Sequence, residues 1–388
     1  MLILLLLALA QSAASPPAPT DQTITITGVS LEVSSDALER CLAQACPPAE
    51  DIARSITHAE NQLIAGDLEG ARTTLLKSTN RNKRHARTLP VPVSNLLLFN
   101  AEVANLSGLT ESGRIGTIDS LSALKAGLPK DGSQVATQRL FVADVFLREG
   151  RYPGAVKMYD AVADQAARSG WPSLQATAMF RSLIFYATAA SVSPAYAGEA
   201  RRRYAALRGL TTPASQTLRD ASVLLEAKLL MLSDRKANID DILQRVKVKR
   251  TTMPMLVMMP SVDLGTILPN TGGTLDITRN QWVDFSFRIT ANGTVADVEQ
   301  LTRASNAQGQ WIENTQRALA DRRYLPLELP PGSTGLWRRE RFMVVAGQVA
   351  SVGSQVRSHA GEPRLHVLDL TPKIDMEPAA VTAPTRTQ

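Results

Sequence analysis

The sequence predicts a chain with α and α+β parts. An array of α-helical hairpin repeats comes first. A small α+β domain follows, with a three-to-four-stranded antiparallel sheet and one helix. Three observations predict this. From Asp36 to about Lys249, apolar residues recur three and four apart, the period of helices with one buried stripe. Breaks at Pro47-Pro48, Pro90, Pro92, Pro129, Pro172, Pro194 and Pro213 cut that stretch into pieces of helix and helical-hairpin size. Near Trp282 the period becomes two, which marks a half-buried strand.

The 388 residues suffice for two or three domains, and the 44% hydrophobic content can build a sizeable core. The net charge of +6 is too diffuse at this length to argue for a nucleic-acid partner. The predicted organisation is an export signal and linker over 1–22, a strand or linker over 23–35 and a helical-repeat domain over 36–250. The α+β domain spans 251–372, and a tail spans 373–388.

Leu2 to Ala10 is an unbroken apolar run followed by Ser12, Ala13 and Ala14, the pattern of a secretory signal cleaved after Ala10 or Ala14. No Lys or Arg precedes the run, so the signal is atypical or the reading frame opens upstream. About 9 apolar residues span roughly 14 Å as a helix, well short of the ~30 Å bilayer core. The expectation is an exported, soluble protein. Thr23 to Val33 alternates polar and β-branched residues and predicts a strand. Cys41 and Cys46 are the only cysteines, and two close thiols in an exported chain are expected to pair. Residues five apart on a continuous helix are misaligned for a disulfide, but Cys46 precedes Pro47 and is biased out of the helix. The bridge then staples a helix end.

Two segments share one pattern. Ala59, Leu63, Gly66, Leu68, Ala71 and Leu75 recur as Ala143, Leu147, Gly150, Tyr152, Ala155 and Tyr159. Small Ala residues let antiparallel helices approach, Gly ends the first helix, and a large residue after the turn plugs the hairpin. This resembles the tetratricopeptide (TPR) repeat. The copies are 84 residues apart, not a multiple of the usual ~34. The expectation is therefore a degenerate set of irregular hairpins, with an ordinary helical bundle as the alternative.

Residues 251–281 change character. Met253 to Met259 is a Met-rich apolar stretch in which Met255, Val257 and Met259 predict a short strand and core filler. Val283, Phe285, Phe287 and Ile289 then alternate with Asp284, Ser286, Arg288 and Thr290. Asn292-Gly293 tolerates the positive φ angles of a tight hairpin turn, and Thr294 to Leu301 runs back. Trp311 to Arg323 predicts a helix, with Ile312, Thr315, Ala318 and Leu319 on one face and Pro326 beyond its end. Gly335 to Ala346 predicts a strand. Its central Arg338-Arg339-Glu340-Arg341 reads as the charge that guards a free sheet edge. Leu365 to Leu370 supplies a further strand, and Glu377 to Gln388 lacks the apolar residues needed to fold.

The order Val283-x-Phe285-x-Phe287-x-Ile289, Asn292-Gly293, Val295-x-x-Val298 and Arg322-Arg323-Tyr324-Leu325-Pro326 resembles the C-terminal domain of TonB, the periplasmic energy-transducing protein. The resemblance covers about 65 residues. It implies a periplasmic location and strand addition, in which an extended peptide from an outer-membrane receptor joins a free sheet edge. Trp337, Arg339, Arg341, Met343 and Val345 are the expected partner-binding residues on that edge, and coverage of the edge by Leu365–Leu370 is the alternative. The long Pro-rich spanner of that family has no counterpart here; helical repeats take its place. The expected role is a scaffold that binds envelope proteins through a helical groove and a sheet edge, with a link to receptor or transport function.

A second expectation rests on charge. Lys77, Arg81, Lys83, Arg84, His85 and Arg87 crowd one stretch without an intervening acid, and Arg201-Arg202-Arg203 and Arg245, Lys247, Lys249 and Arg250 form others. Lys77, Arg81, Lys83, Arg84 and Arg87 are the candidate contacts to an anionic membrane or cell-wall surface; the alternative is a solvated loop between helices.

Catalytic chemistry finds little support. His58, His85, His359 and His366 form no H-x-x-x-H pair, and no Cys/His cluster indicates zinc. His58 reads as a packed or capping residue. No G-x-S-x-G elbow, Ser-x-x-Lys, P-loop or G-x-G-x-x-G occurs. Asp240-Asp241 and Glu32 are scattered carboxylates. No cofactor and no metal are expected, and a hydrolase is the least favoured reading.

Overall fold

The computed structural model describes residues 30–216, 218–219, 221–223, 225–226, 250–251, 253–264, 281–330, 332–350, 357–359 and 363–371. The export signal, the linker, the tail and the cations Arg245, Lys247 and Lys249 lie outside them. Leu31 to Val33, read from sequence as the end of a strand, open a helix, because the Ser30 hydroxyl caps it by accepting from the Val33 N–H (3.2 Å).

That helix is α1 (Leu31–Ala43). Four helical hairpins follow: α2 (Pro48–Ala65) with α3 (Leu68–Asn82), α4 (Pro90–Leu106) with α5 (Thr110–Gly127), α6 (Ser133–Arg148) with α7 (Tyr152–Arg168), and α8 (Pro172–Val192) with α9 (Ala197–Arg208). Pro48, Pro90 and Pro172 each stand at the first turn of a helix, where the missing N–H costs nothing. Cys41 and Cys46 are bonded across the end of α1, with Cα atoms 5.1 Å apart. His58 is buried and its Nδ1 meets the Ser34 hydroxyl at 3.1 Å, which joins α1 to α2.

The hairpins are more regular than the sequence suggested. Pro48 and Pro90 open successive first helices 42 residues apart, and Leu68, Thr110 and Tyr152 open second helices at the same interval of 42. The spacing of 84 between the two clear copies is two such periods, and a third copy lies between them. Ala59, Ala101 and Ala143 are equivalent and all buried. Gly66, Gly108 and Gly150 are equivalent, with φ of 86°, 76° and 78°. Each ends its helix with the same pair of bonds: Gly66 to the Leu63 carbonyl and Asp67 to Gln62, Gly108 to Asn105 and Leu109 to Ala104, Gly150 to Leu147 and Arg151 to Phe146. The irregular-array expectation is thereby corrected.

Buried ionic networks stitch the helices. Asp51 of α2 accepts from Arg81 (2.6 and 2.8 Å) and Asn82 (2.7 Å) of α3. Burial opposes the Asp51 charge, but the hydrogen bonds from Arg81, Asn82 and Ser55 outweigh it and hold the carboxyl below its usual range. In the third hairpin Asp144 accepts from Tyr159 (2.5 Å) and from Arg181 of α8 (2.5 Å). Burial dominates at Asp144 and raises its pKa despite Arg181.

The α+β part comprises β1 (Leu256–Met258), β2 (Gln281–Ile289), β3 (Val295–Arg303), α10 (Trp311–Ala320), β4 (Arg323–Tyr324), β5 (Leu336–Val345), β6 (Gln348–Ala350), β7 (Arg357–His359) and β8 (Arg364–Asp369). The main sheet is antiparallel with order β3-β2-β5-β8; β1 pairs with β4 and β6 with β7. Helix α10 stops at Ala320, three residues short of the expected Arg323. Arg322 turns inward to Glu340 (2.7 Å) and the Tyr324 hydroxyl (3.1 Å), lying over the Phe287 and Phe342 rings. The Met-rich stretch forms β1, and Met255 is buried as core filler.

The two faces of the sheet do different jobs. Val283, Phe285, Phe287, Ile289, Phe342 and Val344 share a core with Trp311, Ile312 and Leu319 of α10. On the opposite face, Met343 and Val345 share a core with Ile52, Ala59, Leu63 and Leu75 of the first hairpin. Met255 and Leu325 join the core of α8 and α9. The α+β part thus packs against both the first and the last hairpin.

Candidate functional site

The junction between the sheet and the first hairpin is a buried polar site. Strand pairing sets Asp284 of β2 opposite Arg341 of β5, and Trp282 opposite Met343. Asp284 is fully buried and Arg341 is 2% exposed. Arg341 Nε donates to Asp284 Oδ1 (2.7 Å) and its Nη2 to Oδ2 (3.0 Å), a bidentate pair. The same guanidinium donates to the carbonyls of Leu63 (2.7 Å) and Ile64 (3.0 Å), at the C-terminus of α2. Those carbonyls carry the negative end of the helix and lack a full set of partners within it. The Arg341 guanidinium lies 3.7 Å from the centre of the Trp282 ring, and that ring covers the Gly66 turn.

These contacts correct the partner-binding expectation for β5. The strand is interior, paired with β2 along its length and with β8 over Glu340 to Val345. Arg341, Met343 and Val345 are buried against the chain's own helices. Arg339 is spent in part on Asp284 (3.1 Å), and only Trp337 is well exposed, at 54%. The charges that looked like edge protection neutralise buried partners: Arg341 serves Asp284, and Glu340 serves Arg322. The alternative that Leu365–Leu370 covers β5 is the one observed. The first and last hairpins of the array expected to offer a partner groove pack against the α+β part.

Among the described residues the sheet ends instead at β3 and β8. Strand β3 carries two irregularities in its register with β2, and Asp297 has φ 53° and is clamped by Arg288 (2.6 Å). Bulges and charges such as Asp297, Glu299 and Arg303 guard an edge. Strand β8 pairs with β5 in unbroken register from Arg364 to Asp369. Among the described residues no strand lies on its outer side. The Leu370 N–H donates inward to the Arg339 carbonyl (2.8 Å). Alternation along an antiparallel strand then directs the N–H groups of Leu365, Val367 and Asp369 outward. Val367 is 45% exposed.

The basic stretch is the end of α3 followed by a turn of 3₁₀-helix at Lys83–His85, not an irregular loop. Lys77, Lys83, Arg84 and Arg87 are exposed. Arg81 is committed to Asp51 and is withdrawn from the candidate anionic surface.

Burial moves two further groups away from their ordinary pKa values. Burial pushes the Glu102 carboxyl of α4 up to about 7, against the pull of Arg148. Burial, with Arg148 and Arg364, pushes His366 of β8 down to about 4. Among the described residues no group of three His, Cys, Asp or Glu side chains can hold a metal ion. The junction cavity, lined by Leu63, Gly66, Leu68, Trp282, Arg341, Met343 and Leu368, is about 40 Å³. That admits a water molecule, whereas a small-molecule site needs several hundred Å³. No helix of the described residues is long and apolar enough to cross a membrane.

No protein-family model and no curated protein matches this chain. Several solved structures share its form in part. One, described as a kinesin light chain with nearly identical TPR-like repeats from Podosopora anserina, is 13% identical with a TM-score of 0.40. The match covers 52% of this chain and 95% of that one. Another, BtubC (BKLC) from P. vanneervenii, is 14% identical with a TM-score of 0.41, over 62% of this chain and 97% of that one. At those scores and identities the likeness assigns neither family nor partner.

Proposed function

We propose that this chain is a protein-interaction scaffold that takes up an extended segment of a partner by strand addition to β8. The observation that carries this reading is the unbulged outer side of β8, on which no strand lies among the described residues, with its outward N–H groups at Leu365, Val367 and Asp369. Main-chain bonds would supply affinity, and the exposed Val367 position would supply side-chain preference. The Cys41–Cys46 bond and the apolar run at residues 2–10 support an oxidising compartment outside the cytoplasm. The resemblance of the α+β part to the TonB C-terminal domain supports a periplasmic setting, with an outer-membrane receptor segment as the partner.

The test is Val367→Pro. It removes one outward donor and leaves the β5 pairing intact, because the Val367 N–H points away from β5. Partners recovered from the envelope by the native chain are expected to be lost with Val367→Pro while the circular dichroism spectrum is unchanged. Recovery that is equal for both sinks the reading. Val344→Pro is unsuitable, since Val344 is interior and buried.

A second reading rests on the exposed set Lys77, Lys83, Arg84 and Arg87 at the end of the first hairpin. These would hold the scaffold near an anionic surface. Cosedimentation with anionic vesicles that is absent, or indifferent to salt, removes it.

A further inference from the structure

We infer that β8 pairs with β8 of a second copy of this chain, antiparallel and centred on Val367, so that two sheets join across a two-fold axis. The inference rests on the strand-addition reading. It names a copy of the chain as the strand that covers β8 when no other partner is bound. Among the described residues no strand lies on the outer side of β8, which pairs with β5 in unbroken register from Arg364 to Asp369. It has neither the register breaks nor the positive φ of β3.

The register selects the occupant. A two-fold axis normal to the sheet keeps each face continuous, so a residue meets itself or one an even number of positions away. Centred on Val367, the pairs are Val367 with itself and Leu365 with Asp369. These are the residues whose N–H and C=O groups point outward. Every outward donor then finds an outward acceptor, about six main-chain bonds in all. The neighbouring registers do worse. Centring on Leu365 sets Val367 against Pro363, which has no N–H. Centring on His366 brings two imidazoles together and sets Asp369 against the same proline. Centring on Leu368 sets Leu365 against Thr371, whose N–H already donates to Asp369 Oδ1 (2.9 Å). Centring on Asp369 opposes two carboxylates.

The side chains agree with the Val367 register. Val367, 45% exposed, lies on the axis and packs on its own copy. Asp369 is already neutralised by Arg338. The two Asp369 side chains stand four positions apart along the ladder, about 14 Å, and the two Arg364 side chains six apart, about 20 Å. Both separations exceed the screening length of roughly 8 Å, so like charges do not oppose the pairing. The dimer covers an edge that would otherwise recruit strands at random, and a captured segment has to displace the copy.

The test is the oligomeric state of the full chain. By sedimentation equilibrium the mass is expected to rise from one chain toward two with concentration, and Val367→Pro is expected to hold it at one. Circular dichroism confirms that the variant folds. Val367→Cys reports the axis directly, because Cα atoms of such a pair lie about 5.5 Å apart, within disulfide reach. Mild oxidation is expected to link Val367→Cys chains in pairs and to leave Leu301→Cys, exposed on β3, unlinked. A single mass at all concentrations, a dimer that Val367→Pro leaves intact, or equal linkage of both cysteine variants overturns the inference. If the native chain stays single while Val367→Pro still loses its envelope partner, the dimer falls and strand addition stands. If Val367→Pro alters neither mass nor capture, both fall.

Discussion

Arg341→Ala tests the junction most severely. Asp284 is fully buried and takes two hydrogen bonds from Arg341. Truncation leaves that carboxylate with Thr302 (3.0 Å) and the partly exposed Arg339 (3.1 Å). It also strips the Leu63 and Ile64 carbonyls of a charged donor. Removing one member of a buried ion pair costs about 3–5 kcal/mol. A loss of about 4 kcal/mol shifts the folding equilibrium by roughly a thousand-fold. Equilibrium urea unfolding of the full chain, followed by tryptophan emission and far-ultraviolet circular dichroism, measures it. A double-mutant cycle with Asp284→Ala isolates the pair and is expected to show coupling of about 2 kcal/mol or more. A cost under about 1 kcal/mol, or additivity of the two changes, refutes the claim that the pair fixes the sheet on the first hairpin.

Other outcomes follow from the same geometry. Gly66→Ala and Gly150→Ala both force a side chain onto positive φ, a penalty of about 1–2 kcal/mol. Only Gly66→Ala also displaces Trp282, so it is expected to be the more destabilising of the two by urea midpoint; equal costs contradict a packed junction. Asp144→Asn is expected to cost about 3–5 kcal/mol, because it strands the buried Arg181, and native-like stability would show that the network is dispensable. Glu102 has its folded pKa raised to about 7, so its contribution is complete below about 4.5 and lost as pH rises through 7. Glu102→Gln is expected to flatten that part of the stability profile, checked by urea midpoints between pH 5 and 8. His366, lowered to about 4, contributes stability above about 6.5 that is lost as pH falls through 4, and His366→Gln removes that loss in the same assay.

Local chemistry made parts of this fold legible. The hairpin was readable because Gly293 takes φ 78° beside Asn292, and the period-two pattern of Val283 to Ile289 faces one core. The first and third helical hairpins were readable because both keep the same apolar and small residues. The second was hidden by exchange of types: Asn105 stands where Leu63 and Leu147 stand, and Gly113 where Ala71 and Ala155 stand. A Cβ on Gly113 would collide with the Asn105 side chain, so the two changes compensate in space and erase the apolar pattern. A search for glycine at the interval of 42 residues would have found it.

The error about β5 had a different origin. A run of four charged residues reads as a solvated edge when its partners are unknown. Asp284 lies 57 residues from Arg341, and the Leu63 carbonyl lies 278 residues away. Pairings of that range leave no periodic trace. Among the described residues the edge lies at β8 instead, a strand whose outward N–H groups follow only from the register.

The most direct measurement places a photo-crosslinking amino acid at position 367 of β8, and separately at position 299 of the bulged β3, in cells that produce the chain. A defined protein adduct from position 367, with none from 299, is the predicted result. No adduct from 367, or equal adducts from both positions, contradicts strand addition at β8.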